Sequence, residues 1–404
     1  MPDKLSDHAH AIVVGGGPAG LTAAIALAEG GVGTVLVGKP PAKPDNRTTA
    51  LLAGSVTALE TLGVWDLCAA QAAPLRIMRI VDDTGRLWRA PEVKFEAGEI
   101  DLEAFGQNIE NRHLVAALEA RARALPGLRL IEDEVRNVAP DDEAVSVTLA
   151  SGDTLRAELV VGADGRRSLC RDAAGIGVDT RTYRQTALTV CLSHSRPHRD
   201  TSTEFHTPNG PFTLVPLPGN RSSLVWVLDP AEADELAALD DAALSANIER
   251  ASHSILGKIT VEPGRGLFPL SVATARRFAD RRIVLIGEAA HVIPPIGAQG
   301  LNLGLRDAAT IGELAVAALR DHHDIGGADV LGRYDHMRRG DVGSRSIAID
   351  LFNRTLLTDF LPVQGLRGIG LYMLDQIGPL RRAVMREGVA PRAAQPRLMR
   401  GEVP

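Results

Sequence analysis

The run Ala11-Ile12-Val13-Val14-Gly15-Gly16-Gly17-Pro18-Ala19-Gly20-Leu21 decides the fold. Four apolar residues meet a glycine turn, and an alanine- and leucine-rich stretch follows to Glu29. That order reads as strand, turn and helix. Residues 30–33 close the helix and the β-branched run at 34–37 supplies a second strand, completing a βαβ unit. Gly15, Gly17 and Gly20 stand in GxGxxG spacing, with Pro18 and Ala19 opening the helix. Such glycines permit a tight turn, let a pyrophosphate approach the backbone and bring helix against strand, while the helix N-terminus offers amides to the anion. A dinucleotide is the ligand that this unit predicts, a bland glycine turn being the alternative. The carboxylate that usually accepts from a ribose hydroxyl falls about 20 residues on. Here that place is Gly38, so Asp45 or a backbone carbonyl would have to take the contact.

At 404 residues the chain predicts two intertwined domains, and 45% hydrophobic with 23% charged residues is the composition of a packed protein. A net charge of -6 argues against a general nucleic-acid binder, which needs a basic surface. Cys68, Cys170 and Cys191 are far apart and form no CxxC, so reduced thiols are expected and no metal site. Residues 1–10 lack the basic and apolar regions of a signal peptide, and no stretch reads as a membrane span; a cytoplasmic protein is expected.

Further along, residues 48–62 carry a helical apolar pattern up to Gly63. Residues 77–81 and 87–90 flank Asp82-Asp83-Thr84-Gly85 as a hairpin, and 145–149 with 154–161 flank Ser151-Gly152-Asp153 as another. Residues 111–125 read as a helix ended by Pro126-Gly127. Between 186 and 227, apolar runs broken by Pro208-Asn209-Gly210 and Pro218-Gly219-Asn220 predict an antiparallel, substrate-facing sheet. Residues 282–287 read as a buried strand and 300–319 as a long helix.

Two more motifs follow the first. One is Leu159-Val160-Val161-Gly162-Ala163-Asp164-Gly165-Arg166-Arg167-Ser168; the other is Ile283-Val284-Leu285-Ile286-Gly287-Glu288-Ala289-Ala290-His291, continued by Pro294-Pro295-Ile296-Gly297-Ala298-Gln299-Gly300-Leu301-Asn302-Leu303-Gly304. In this order the three resemble the FAD motifs of the class A flavoprotein monooxygenases, the para-hydroxybenzoate hydroxylase fold. Asp45-Asn46-Arg47-Thr48-Thr49-Ala50-Leu51 with Gly54-Ser55, Ile109-Glu110-Asn111-Arg112-His113-Leu114, and residues 297–307 resemble the ubiquinone-biosynthesis hydroxylases.

The resemblance implies an α/β fold in which a Rossmann-like FAD-binding domain (1–74, 107–180 and 273–330) is interleaved with a mostly antiparallel substrate domain (75–106 and 181–272), before a helical C-terminal region (331–404). It implies FAD contacts at Gly15, Gly17, Pro18, Ala19, Gly20, Arg47, Arg112, Asp164, Gly165, Gly287 and Glu288, and at the helix-start amides of Gly300, Leu301 and Asn302. Glu288 stands where most relatives carry aspartate, and His291 reads as structural rather than as a base. Pro294, Pro295 and Gly297 would form the loop beside the isoalloxazine where oxygen reacts; no side-chain acid or base is assigned.

The implied activity is hydroxylation of a polyprenylated phenol by O2 through a C4a-hydroperoxyflavin, with NAD(P)H as electron donor, in ubiquinone biosynthesis. A substrate of that kind suggests a partner complex or a peripheral place at the inner face of the membrane. The basic C-terminus, Arg381, Arg382, Arg386, Arg392, Arg397 and Arg400, suits an anionic surface, or else a packed helix pair with a solvated tail. A soluble aromatic-acid hydroxylase would bind a carboxylate through cations such as Arg181, Arg184 or Arg221. A flavin-dependent polyprenyl reductase of the same fold, or a non-catalytic FAD-binding scaffold, are the other readings.

Overall fold

The structure is a computed structural model that describes residues 8–39, 45–85, 91–294, 299–357, 377–389 and 395–404. The chain lays down β1 (His8–Val14), α1 (Pro18–Glu29), β2 (Thr34–Val37), β3 (Thr48–Leu52), α2 (Ala53–Thr61), β4 (Ala72–Pro74), β5 (Ile77–Asp82), β6 (Val93–Glu96), β7 (Gly106–Glu110) and α3 (Asn111–Arg123). It continues through β8 (Leu128–Ile131), β9 (Val135–Pro140), β10 (Val145–Leu149), β11 (Thr154–Gly162), α4 (Leu169–Ala173), β12 (Val178–His194), β13 (Thr201–Thr207), β14 (Gly210–Leu217) and β15 (Arg221–Leu228). Then come α5 (Pro230–Ala238), α6 (Asp241–Ala251), β16 (Ile259–Val261), β17 (Gly266–Ala275), β18 (Ala279–Asp280), β19 (Ile283–Leu285), β20 (His291–Val292), α7 (Gln299–Arg320), α8 (Ala328–Leu357) and α9 (Gly378–Val389).

The first sheet runs β18-β19-β11-β1-β2-β8, with β9 and β10 extending it beside β11. β1 is parallel to β2 and β11, β2 to β8, and β11 to β19. These strands are covered on both faces, which is why β1 and β2 read as unbroken apolar runs. Val14 pairs with Gly162, and Gly162 with Leu285, so β1, β11 and β19 end level with one another. The turns that follow all three therefore open on one edge, where ligands of such sheets bind. Helix α7 packs on α1 through small residues: a Cβ at Gly312 would stand 3.0 Å from Cβ of Ala26.

The second sheet is mixed, ordered β20-β17-β12-β15-β14-β13-β5-β6 with β16 beside β12. Its pairs are antiparallel except β5 with β13. Leu188, Val190, Leu224 and Trp226 face α5 and α6, so the alternate residues Ala187, Val225 and Val227 lie on the opposite face with Leu270. Ser223 of that face accepts from Thr48 at 2.8 Å and from Asn108 at 3.2 Å, which turns it toward the small sheet β3-β7-β4.

Residues 48–62 are not one helix. Thr48–Leu52 pairs antiparallel with Gly106–Glu110, and the helix starts only at Ala53. Backbone pairing has overridden an apolar pattern that suits either state. The second arm of the hairpin expected at 87–90 lies outside the described residues; the antiparallel partner seen for β5 is β6. Helix α9 seats Met385 among Leu52, Ala97, Ile100 and Phe105. Among the described residues no helix is long and apolar enough to cross a membrane.

Candidate active site

The glycine turn after β1 has no room for side chains on one side and is open on the other. Gly15 has φ +121°, and a Cβ there would lie 2.3 Å from the Ala163 carbonyl oxygen; one at Gly20 would lie 2.0 Å from the Gly15 oxygen. A Cβ at Gly17 would meet nothing within 4 Å. Helix α1 then starts without a side-chain cap and without an acid in its first turn, and Pro18 occupies a position that needs no donor. Amides left in this state suit a pyrophosphate, so the residues present fit the dinucleotide that the spacing implies.

Gly38 is fixed by the same turn. A Cβ on it would stand 2.4 Å from the Gly16 amide nitrogen, so no carboxylate can be carried there without moving the turn. Asp45, the sequence candidate to replace it, is already committed: its oxygens accept from Arg47 Nε and Nη2 at 2.8 Å each and from Asn111 Nδ2 at 2.8 Å. Burial pushes the Asp45 carboxyl up, but the hydrogen bonds from Arg47 and Asn111 prevail and hold it below the usual range. Restoring the missing acid as Gly38→Asp is therefore expected to weaken FAD binding at least tenfold rather than tighten it, measured by flavin fluorescence titration.

The second turn is built around Asp164. One oxygen accepts from Ser168 Oγ at 2.5 Å and the other from the Cys170 amide at 3.0 Å, so the carboxylate organises the start of α4. Gly165 follows at φ +78° with open space where its Cβ would be. Cys170 is buried against the strand end, where a Cβ on Gly162 would be 2.5 Å from its own Cβ, and burial pushes its thiol well up. All three cysteines are buried and free.

In the third turn Gly287 adopts φ +57°, and a Cβ there would touch Ala19 at 3.3 Å. Glu288 is half exposed and pairs with Arg166 at 3.3 Å, joining the second and third turns by side chains. Arg47 lies on the same edge: it pairs with Asp45, stacks 5.3 Å from the Phe268 ring centroid and feels the Glu288 charge. Arg112 pairs at 2.7 Å with Glu110, a buried carboxylate that also meets Arg221 at 3.4 Å.

Pro294 is buried; Pro295 and Gly297 lie outside the described residues. Gly300, Leu301 and Asn302 fall in the first turn of α7. Asn302 ties that turn to β3, accepting from the Leu52 amide and donating to the Ala50 carbonyl, both at 2.8 Å.

Residues that the sequence reading left without a role stand beneath these turns. Asp307 is fully buried and accepts from the Gly287 amide at 3.0 Å, His291 Nε2 at 2.7 Å and Arg338 Nε at 2.6 Å. Arg338 also binds Asp341 at 2.7 Å, and Arg306 reaches Asp341 at 3.1 Å. The structural part expected of His291 is thus filled by a carboxylate sixteen residues on, a separation that no motif spacing signals. Arg221, offered above as a cation for a substrate carboxylate, is instead held by Glu262 through contacts of 2.8 and 2.6 Å and by Glu110. Arg181 stacks on Tyr183. Among the described residues no group of His, Cys, Asp and Glu could hold a metal ion.

Residues 8–345 match the protein family described as FAD binding domain. The chain is 37% identical, over 99% of its length and 94% of the relative's, to the ubiquinone hydroxylase UbiL of Rhodospirillum rubrum. It is 32% identical to the 3-demethoxyubiquinol 3-hydroxylase of Escherichia coli, covering 93% of this chain and 96% of that one. Among solved structures, a p-nitrophenol 4-monooxygenase of Pseudomonas putida has the same fold, with a TM-score of 0.77 at 20% identity, over 96% of this chain and 100% of that one.

Proposed function

Because the chain belongs to the FAD-binding-domain family and, within it, to the ubiquinone hydroxylases, we propose that it adds a hydroxyl group to the ring of a polyprenylated phenol on the way to ubiquinone. The observation that carries this reading is the extent of the likeness: 37% identity over 99% of the chain takes in the second sheet, where a substrate would be met, as well as the cofactor edge. The face of that sheet opposite α5 and α6 carries Ala187, Val225, Val227 and Leu270, an apolar layer of which Ala187, Val227 and Leu270 are buried. Engagement of Arg221 by two carboxylates disfavours an aromatic-acid substrate.

A flavin held here supplies, once reduced by NAD(P)H, the electrons that activate O2 for transfer of one oxygen atom to the ring. Gly15, Gly17, Ala19 and Gly20 would bind its pyrophosphate through backbone amides, with Pro18 setting the helix start, the cations Arg47 and Arg112 beside the anion, and Asp164 and Gly165 shaping the second turn. Gly287 and Glu288 would meet the ribityl chain. The amides of Gly300, Leu301 and Asn302 at the start of α7 would stabilise negative charge on the ring edge without a cationic side chain. Pro294, Pro295 and Gly297 would wall the ring from water.

We place the protein in the cytoplasm, drawing substrate from the membrane surface or a biosynthetic complex. The C-terminal arginines support a free basic patch less than their number suggests. Arg381 pairs with Glu99 at 2.6 Å, Arg386 with Asp101 at 3.3 Å, and Arg397 and Arg400 with Glu402.

Deleting the gene in its host tests the proposal. A polyprenylated phenol one hydroxyl short of the normal intermediate should accumulate and disappear on complementation. Unchanged quinone in the deletion strain, with no precursor, would overturn it. Purified protein should be yellow, and NADH or NADPH should bleach its flavin band; bound flavin that neither donor reduces would favour a scaffold.

A further inference from the structure

The turn 287–291 and the first turn of α7 are the two segments read above as meeting the flavin ring and ribityl chain, and they are separate in sequence. One side chain spans them. Asp307 sits on α7, five residues beyond Asn302, and a single oxygen, Oδ2, takes both the Gly287 amide and His291 Nε2. These donors lie at opposite ends of the turn. The other oxygen takes Arg338 of α8, and Tyr334 of the same helix donates to the Leu285 carbonyl at 2.8 Å, just ahead of the turn. Glu288, the carboxylate on the turn itself, points the other way into solvent and toward Arg166.

Burial opposes the charge on Asp307, but His291, Arg338 and the Gly287 amide prevail and hold its carboxyl below the usual range. A charged carboxylate acceptor makes hydrogen bonds stronger than neutral ones. Small residues allow the close approach this requires: a Cβ on Gly304 would lie 3.3 Å from both Ala19 Cβ and Gly287 Cα, so α1, the turn and α7 touch at one point.

We propose that Asp307 is a positioning residue for the flavin, setting the spacing between the Gly287 turn and the α7 N-terminus before the cofactor arrives. The inference rests on FAD binding at this edge. Catalysis at such sites depends on preorganised amides, so a small displacement of either segment is felt in flavin affinity and reduction potential.

Asp307→Glu keeps the charge that Arg338 needs but moves the oxygens by one methylene. The paired variant Asp307→Leu with Arg338→Met removes both buried charges together, an exchange that folded proteins often tolerate. Both should bind FAD at least tenfold more weakly than wild type and shift its midpoint potential. Tyr334→Phe, which loosens α8 without touching the turn, should lower the melting temperature and leave FAD affinity unchanged. Wild-type affinity and potential in either folded Asp307 variant would overturn the proposal. In the wild-type apoprotein, for which no variant need fold, the Gly287 amide should exchange with solvent at least a hundredfold more slowly than a free amide. Free exchange there would show that the flavin sets the turn and would equally overturn it. Wild-type protein that takes up no FAD would instead refute the cofactor reading beneath the inference.

Discussion

Gly15→Ala is expected to yield a folded but colourless protein with no detectable hydroxylase activity and FAD affinity down at least a hundredfold. Two costs coincide at this position. The backbone φ of +121° is one that residues with a Cβ rarely adopt, worth about 1–3 kcal/mol in strain. The added methyl would also stand 2.3 Å from the Ala163 carbonyl oxygen, inside any allowed contact. Relief comes only by separating the first glycine turn from the second, and both contribute to the same edge. The strands beneath, buried on both faces, need not move, so the loss should fall on the cofactor before the fold. Flavin absorbance after purification and fluorescence titration of the apoprotein measure it. A yellow protein with wild-type affinity would show that the pyrophosphate is held elsewhere.

The largest stability effect is expected from Arg338→Met, at about 3–5 kcal/mol in denaturant unfolding of the apoprotein, the usual result of leaving a buried charge uncompensated. Arg338 is 3% exposed, and it is shared by Asp307 and Asp341. The pH dependence follows with a definite sign. A carboxyl held below its unfolded value, about 3.9 for aspartate, adds stability above that pH and loses it as pH falls toward the folded value. In the wild type, Asp307 thus stabilises the fold at neutral pH and stops doing so only in strong acid. Without Arg338 one cause of the depression is gone, so acid unfolding should begin at a higher pH. An acid-unfolding midpoint that stays in place would mean that His291 and the Gly287 amide alone hold the carboxylate charged.

Much of the nucleotide-binding half is legible because its signals are local. Strand, glycine turn and helix at 11–29 follow one another, and Gly15 and Gly20 each answer a contact within the same unit or just across it. Thr48–Leu52 reads as helix in the sequence because its pairing partner lies past residue 105, and apolar residues before a true helix look like more helix. Charge partners are harder still. Arg47 reads as a free cation until Asp45 closes on it in a bidentate pair. Arg381 and Arg386 read as a basic tail until the chain folds them onto Glu99 and Asp101. His291 could be placed as structural from its setting, but Asp307 and Arg338, which make it so, come from two later helices. The departure at Gly38 is plain in the sequence; its steric cause, the Gly16 amide 2.4 Å from where a Cβ would stand, exists only in the folded turn.

The strand order of the first sheet also bears on how the protein is made. β1 lies between β2 and β11, and β11 is joined by β10 along residues 154–157 and by β19, residues 283–285, along 160–162. The cofactor edge is thus incomplete on the ribosome until about seven-tenths of the chain has emerged. Until then residues 160–162 of β11, beyond the stretch that β10 pairs, are an unpaired apolar edge, of the kind on which nascent chains aggregate. The complete cofactor edge exists only once β19 has been made, and a message truncated ahead of β19 should give insoluble product however much riboflavin the cell is fed.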